Sequence, residues 1–306
     1  MEALRIIFMG TPQFAVPSLE VLVNAGYHVV AVITAPDKPQ GRGRQLMTSA
    51  VKQYAETQGI PVLQPTNLKA PEFIEELKSF RANLQVVVAF RMLPQVVWDM
   101  PRYGTFNLHA SLLPDYRGAA PIHWAIINGE KETGVTTFFI RQEIDTGSIL
   151  LQEKEMIHEY DTTGSLTDRL MKKVAALVLK TVDLIATGEY QLIPQNLSVD
   201  APKAPKLFKE NCQINWDQNC QQIVNFFRGL NPFPSAWTTI EGTTYKIHTA
   251  RVVENKVLSG KIGDHQTDGN SYLYFKCRDG AVSITEIQAP GKRKMPIMEF
   301  LRGNQL

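Results

Sequence analysis

What most restricts the fold is the alternation, through the first 187 residues, of short apolar runs with longer stretches of helical period. Leu4–Met9 is a short, mainly apolar run stopped by Gly10, and His28–Ile33 is a second. Leu84–Phe90 is a β-branched run of the kind that a central parallel strand buries on both faces. Tyr103–His109 is the next strand, and Gly134–Ile140 with Ser148–Met156 reads as a strand pair around Asp145-Thr146-Gly147. Between them, Thr11-Pro12 reads as the N-cap and first residue of a helix reaching Ala25-Gly26. Further helices are expected near Thr48–Gln58, Pro71–Phe80, Pro121–Asn128 and Thr163–Thr187. This order predicts an α/β, Rossmann-like doubly wound, mostly parallel sheet, in which ligands bind beyond the carboxyl ends of the strands.

Composition changes after Thr187. Gly188–Pro205 carries Pro194, Pro202 and Pro205 among few apolar residues and reads as a linker. A helix at Asp217–Arg228 follows, then short strands at Ala236–Ile240, Thr244–Val252, Lys256–Ile262, Tyr272–Cys277 and Val282–Ile287, punctuated by Gly242, Gly269 and Gly280. Short strands at this spacing predict a small OB-like β-barrel domain. The expected organisation is a first domain at 1–188, a linker at 189–206 and a second domain at 207–306.

Several function classes are disfavoured. No segment approaches the ~18 consecutive apolar residues of a membrane helix, and Met1–Arg5 runs directly into a strand without a basic region and cleavable apolar stretch. A cytoplasmic protein is therefore expected. Cys212, Cys220 and Cys277 lack Cys-x-x-Cys spacing and read as reduced thiols. No His-Glu-x-x-His pair occurs, so no metal is expected. Gly10-Thr11-Pro12 and Gly41-Arg42-Gly43 both fall short of Gly-x-Gly-x-x-Gly, which argues against a nicotinamide site. The formal net charge is +2, so any polyanion would have to be met by local patches. Lys38, Arg42, Arg44 and Lys52 form one, interleaved with Gly41 and Gly43 in what reads as a mobile basic loop, and Lys292, Arg293 and Lys294 form another.

The chemistry is concentrated in Asn107-Leu108-His109-Ala110-Ser111-Leu112-Leu113-Pro114 and, downstream, Ile144-Asp145-Thr146-Gly147. Asn107 and His109 are two apart, so in a strand they point to one side. A carboxamide and an imidazole there can serve one reacting atom, and Asp145 can hold the imidazole in one tautomer and raise its basicity. No strong nucleophile is present, which suits a reaction in which the substrate brings its own. Singly, each feature has an ordinary explanation. His109 could be a core histidine, Ser111–Pro114 a turn, and Asp145-Thr146-Gly147 a plain hairpin turn.

Together they are specific. Asn-x-His-x-Ser-Leu-Leu-Pro at 107–114, Tyr116-Arg117-Gly118, and Asp145-Thr146-Gly147 resemble the folate-dependent formyltransferase family. The start Ile7–Ala15, the loop Pro36–Arg44, Ile214-Asn215-Trp216 and Arg228–Trp237 are similar to the branch of that family that acts on methionyl-tRNA. The resemblance covers nearly the whole chain. It implies transfer of the formyl group of 10-formyltetrahydrofolate, a co-substrate, to the amino group of initiator methionyl-tRNA. Asn107 and His109 would then donate to the tetrahedral oxyanion, Asp145 would keep His109 cationic or accept the amine's proton, and His109 would protonate the leaving folate nitrogen. Ser111, Leu112, Leu113 and Pro114 would shape the folate pocket, with Phe90, Arg91 and Leu93 at a strand end lining it. Many relatives carry Tyr-Gly where this chain has Phe90-Arg91, and a glycine where Glu143-Ile144 precede the Asp-Thr-Gly turn, which implies a locally altered pocket. Lys38, Arg42 and Arg44 would contact the tRNA acceptor end, and Lys292, Arg293 and Lys294 its backbone. A monomer is the default expectation. Two alternatives stay open: another formyl-group enzyme on the same scaffold (with a nucleotide sugar, glycinamide ribonucleotide or water as acceptor), and a noncatalytic RNA-binding module.

Overall fold

The computed structural model describes residues 2–40, 45–197, 200–254, 256, 258–304 and 306. In chain order the strands are β1 (Arg5–Gly10), β2 (His28–Ile33), β3 (Lys38–Gln40), β4 (Gln45–Met47), β5 (Val62–Leu63), β6 (Leu84–Val88), β7 (Thr105–His109), β8 (Arg117–Gly118), β9 (Glu132–Phe139), β10 (Ile149–Met156), β11 (Lys203–Ala204), β12 (Ala236–Ile240), β13 (Thr243–Val253), β14 (His265–Thr267), β15 (Leu273–Lys276), β16 (Ala281–Gln288) and β17 (Met295–Pro296). The helices are α1 (Val16–Asn24), α2 (Ala50–Thr57), α3 (Pro71–Ser79), α4 (Gln95–Trp98), α5 (Pro121–Ile127), α6 (Thr163–Thr187), α7 (Cys220–Leu230) and α8 (Ile297–Gly303). The chain divides into two compact units. The first comprises Met1–Arg117, Gly134–Glu155 and Asp168–Pro202; the second comprises Gly118–Thr133, Met156–Thr167 and Lys203–Leu306.

The first unit is built on a sheet of order β10-β9-β7-β6-β1-β2-β5. β1, β2, β5, β6 and β7 pair in parallel, and β9 runs antiparallel to β7. Burial on both faces explains the unbroken apolar runs. Ile6, Ile7, Phe8 and Met9 are wholly buried, and so is every residue of β6. On one face α3 lays Phe73, Ile74 and Leu77 against Ile7, Met9, Val30, Ile33 and Val87. Leu170, Val174, Leu177, Val178, Val182 and Ile185 fall at three- and four-residue spacing and are buried along α6.

Two details differ from expectation. The first helix does not begin at Thr11-Pro12: Pro12 is extended, Gln13–Ala15 form a single 3-10 turn, and α1 starts at Val16. Pro17 explains this. Having no N–H, it cannot donate to the carbonyl four residues back and is tolerated only in a first turn. The segment read as a mobile basic loop around Lys38 is not simply a loop, because Lys38–Gln40 pairs antiparallel with Gln45–Met47, Pro39 opposite Leu46. The intervening Gly41, Arg42, Gly43 and Arg44 lie outside the described residues.

The second unit carries an antiparallel sheet of order β12-β13-β16-β15-β14 with β17 on β16, the curled OB-like arrangement. Its core packs Ile223, Phe227 and Leu230 of α7 and Phe300 and Leu301 of α8 against Ile247, Phe275, Val282, Ile284 and Ile287. Asn219 and Gln222 form a capping box that fixes the start of α7. Its end approaches α5 so closely that a Cβ at Gly229 would lie 2.4 Å from Ile127 Cγ1 and 2.9 Å from the His123 carbonyl oxygen. The strand expected at Lys256–Ile262 is absent among the described residues. The backbone turns there instead, with Gly263 N–H donating to Lys276 O and Asp264 N–H to Lys261 O, and the pairing strand is His265–Thr267.

Candidate active site

Asn107 and His109 sit on β7, between β6 and β9, with Val87 and Phe138 opposite Asn107 and Thr136 opposite His109. Strand alternation puts both side chains on one face, at the carboxyl end of a central strand. Asn107 is half-buried, and among the described residues its carboxamide makes no hydrogen bond, so it remains available as a donor. His109 is 6% exposed. Its Nε2 lies 2.8 Å from the Tyr116 carbonyl oxygen. A carbonyl only accepts, so Nε2 carries a proton. The tautomer is thus set by a backbone carbonyl and not, as the sequence suggested, by the carboxylate. The other nitrogen, Nδ1, faces Asp145 Oδ2 at 3.8 Å. That gap is too long for a direct hydrogen bond. One small atom placed beside the pair can reach both Nδ1 and Oδ2.

Asp145 owes its place to a tight turn between β9 and β10. Its φ is 55°, in the left-handed region that costs a residue with a Cβ. A Cβ on Gly147 would stand 1.6 Å from the Phe139 carbonyl oxygen, so the close return of the chain demands glycine there. Thr146 Oγ1 donates to the Glu143 carbonyl (3.1 Å), and Arg141 Nη2 to Ser148 Oγ (3.2 Å). Gln195 Nε2 donates to the carbonyls of Asp145 (2.9 Å) and Gly147 (2.7 Å).

The turn after His109 is held from within. Ser111 is fully buried and its Oγ donates to the Asp115 carbonyl at 2.6 Å. Thr136 Oγ1 donates to the Ser111 carbonyl at 2.7 Å and accepts from Leu113 N–H at 3.2 Å, while Gln152 Nε2 reaches the Leu113 carbonyl at 2.9 Å. Leu113 packs with Phe138 and Ile149, and the Leu113–Pro114 peptide is cis. Leu112 lies against Gly134, where a Cβ would meet its Cδ2 at 2.5 Å.

After β6, Leu93 is 8% exposed in the core with Phe90 packed beside it. Arg91 is exposed. Its Nη1 donates to the Thr66 carbonyl at 3.0 Å and its Nη2 to the Pro65 carbonyl, with the guanidinium 5.7 Å from the Phe90 ring. Lys38 is exposed, but Lys52 is not a free cation. It is ion-paired with Asp37 at 2.6 Å and donates to Gln64 at 3.0 Å. Hydrogen bonds from Lys52 and then Gln64 hold the Asp37 carboxyl below its ordinary range. Lys292, Arg293 and Lys294 are exposed, and Lys294 lies 3.6 Å from Glu286. Arg42 and Arg44 fall outside the described residues. No group of three or more His, Cys, Asp or Glu suited to a metal occurs among the described residues, and no helix among them is long and apolar enough to cross a membrane.

Sequence reasoning missed two partners of the site. Tyr116 acts through its carbonyl, which leaves no mark on residue type. Gln195 lies in the segment read as a linker.

Comparison with known proteins fits this geometry. The formyl transferase family model matches residues 4–182, and the model for the formyl transferase C-terminal domain matches residues 206–305. The methionyl-tRNA formyltransferase of Parabacteroides distasonis is 50% identical over 311 positions, covering 99% of this chain and 96% of that protein. The chain belongs to the methionyl-tRNA formyltransferase family. A second member, from Bacteroides fragilis, is 48% identical and covers all of this chain and 96% of its own length. Outside that family the fold extends further. The crystal structure of an N-formyltransferase from Helicobacter canadensis, in complex with folinic acid and dTDP-3-aminofucose, superposes with a TM-score of 0.67 at 21% identity, covering 95% of this chain and all of that one.

Proposed function

We propose that this chain transfers the formyl group of 10-formyltetrahydrofolate to the free amino group of initiator methionyl-tRNA. The observation that carries the mechanism is the 3.8 Å gap between His109 Nδ1 and Asp145 Oδ2, beside a carboxamide with no partner of its own among the described residues. Full-length similarity to methionyl-tRNA formyltransferases supports the choice of acceptor.

The amine is the nucleophile, so the missing Ser or Cys nucleophile is no deficiency. As nitrogen bonds to the formyl carbon, the carbonyl electron pair moves to oxygen, and the Asn107 amide donates to the charge that develops. The amine beside the gap loses its proton to Asp145. His109, protonated on Nδ1, gives its proton to the departing folate nitrogen as the old carbon–nitrogen bond breaks. Transfer of the proton from Asp145 to Nδ1 restores the pair. Throughout, the Tyr116 carbonyl holds Nε2–H and keeps Nδ1 turned toward the reaction.

The folate donor is placed beyond the ends of β6 and β7, bounded by Phe90, Arg91 and Leu93 and by Ser111, Leu112, Leu113 and Pro114. Because the side chains of Ser111, Leu113 and Leu93 are buried and those of Ser111 and Arg91 are engaged with carbonyls, these segments serve through backbone groups and shape. Lys38, Arg42 and Arg44 contact the acceptor end of the tRNA, and Lys292, Arg293 and Lys294 its phosphates. The protein works as a cytoplasmic monomer, with a catalytic domain at 1–188 and a tRNA-binding domain at 207–306 joined by 189–206, a segment that pairs with β10 through Ile193 instead of running as a free linker.

The test is steady-state kinetics with methionyl-tRNA. Asn107→Ala and Asp145→Asn should each lower kcat by about 10²-fold with KM for both substrates little changed. Unchanged turnover in Asp145→Asn would overturn the mechanism.

A further inference from the structure

Gln195 stands 50 residues beyond Asp145 in a proline-containing segment, yet it is fixed against the turn that carries the carboxylate. Two residues earlier, Ile193 and Ile149 exchange both backbone hydrogen bonds, at 2.8 and 2.9 Å, which seats the segment on the first residue of β10. The Gln195 amide then spends both N–H donors on one turn, on the carbonyls of Asp145 and Gly147 that flank Thr146. Those carbonyls bracket the left-handed backbone at Asp145 and the glycine that passes against Phe139. Among the described residues the buried amide oxygen, Oε1, has no hydrogen-bond partner. Leaving a buried carbonyl unpaired costs stability. An apolar side chain of similar size would avoid that cost but could not hold the turn.

We infer that Gln195 is a positioning residue for Asp145: its amide clamps the Asp145-Thr146-Gly147 turn and so sets the separation between the Asp145 carboxylate and His109 Nδ1. This rests on the proposed role of Asp145 in moving protons. Gln195 touches neither reacting atom. It acts by removing the slack from a turn whose own backbone is unfavourable, and displacement of a catalytic group by an ångström is enough to cost a large part of the rate.

The experiment is a double-mutant cycle on the full-length protein. Gln195→Met keeps the length of the side chain and removes both donors. Gln195→Glu keeps the shape and turns an oxygen toward the two carbonyls, and it serves as the second variant if the first does not fold. In either variant kcat should fall by roughly 10–100-fold with KM for both substrates unchanged and the pH profile of kcat should shift. Because two carbonyls lose their donor, thermal stability should fall as well, more in Gln195→Glu than in Gln195→Met, and kcat is compared at a temperature where each variant is fully folded. In an Asp145→Asn background the same substitutions should alter kcat by less than about twofold, because there is no carboxylate left to position. Unchanged kcat in both Gln195 variants, or an equal loss with and without Asp145, would overturn the inference. Full activity of Asp145→Asn alone would instead overturn the proposed mechanism, so the two failures are distinguishable.

Discussion

At the level of single residues, His109 faces an acceptor on each side: the Tyr116 carbonyl at Nε2 and the Asp145 carboxylate across from Nδ1. Nε2 is committed to that carbonyl, and Nδ1, with no direct hydrogen bond across the 3.8 Å gap, is the nitrogen turned toward reacting atoms that enter beside Asp145. The guanidinium of Arg91 is committed to the carbonyls of Pro65 and Thr66. Arg91→Gly should loosen that segment and raise KM for the folate donor severalfold without lowering kcat. Unchanged folate affinity would show that position 91 does not shape the pocket. Two other histidines contribute to the pH dependence of stability. Burial lowers the pKa of His123 and of His248 below 6.5, against raising hydrogen bonds to the Phe233 carbonyl and to Gln288. A depressed folded value means the unfolded chain binds the proton more readily, so the stability they contribute is fully present above pH 6.5 and is lost as the pH falls through their folded values. Denaturant unfolding followed between pH 7.5 and 5 should show that loss, and His248→Gln should flatten it.

At the level of elements, the site depends on two turns. The first, Ser111–Pro114, is tied to β9 through the Thr136 hydroxyl, which serves the Ser111 carbonyl, the Leu113 N–H and Gln152 at once. Thr136→Val keeps the shape and orphans buried backbone groups, so it should cost about 3 kcal/mol in denaturant unfolding. The second turn, Asp145–Gly147, admits no Cβ at Gly147, and Gly147→Ala should both destabilise the fold and abolish turnover. Elements whose chemistry is written in residue type were legible in the sequence: the buried strands, the span of α6, and Asn107 with His109 on one face. Elements set by backbone were not. The Tyr116 carbonyl is invisible in composition, the late start of α1 depends on where Pro17 falls within a turn, and α8 is short enough for its three core residues to pass as part of a strand-rich domain. Gln195 was hidden because three prolines in 188–205 look like a spacer, although Ile193 pairs with Ile149 in the folded chain.

At the level of the whole molecule, two units share one chain in alternating segments, and the charge is nearly balanced overall. Binding of a polyanion must then come from local cations that are not already paired. Lys52 is excluded by Asp37, whereas Lys292 and Arg293 stand exposed and Lys294 is near Glu286. Replacing Lys292 and Arg293 with Ala should weaken tRNA binding and flatten its salt dependence by about 0.7–0.9 in log–log slope per lost phosphate contact, with folate binding spared. An unchanged slope would place the tRNA elsewhere.

The choice of acceptor is the point on which all three scales converge, because the same Asn, His and Asp could serve a nucleotide-sugar amine, glycinamide ribonucleotide or water. The most direct test supplies formyl-labelled 10-formyltetrahydrofolate to the protein with methionyl-tRNA, a nucleotide-sugar amine and glycinamide ribonucleotide together, and follows where the label goes. The proposed function predicts that the label accumulates on the methionyl amino group. Label found mainly on the sugar amine, on glycinamide ribonucleotide or as free formate would contradict it.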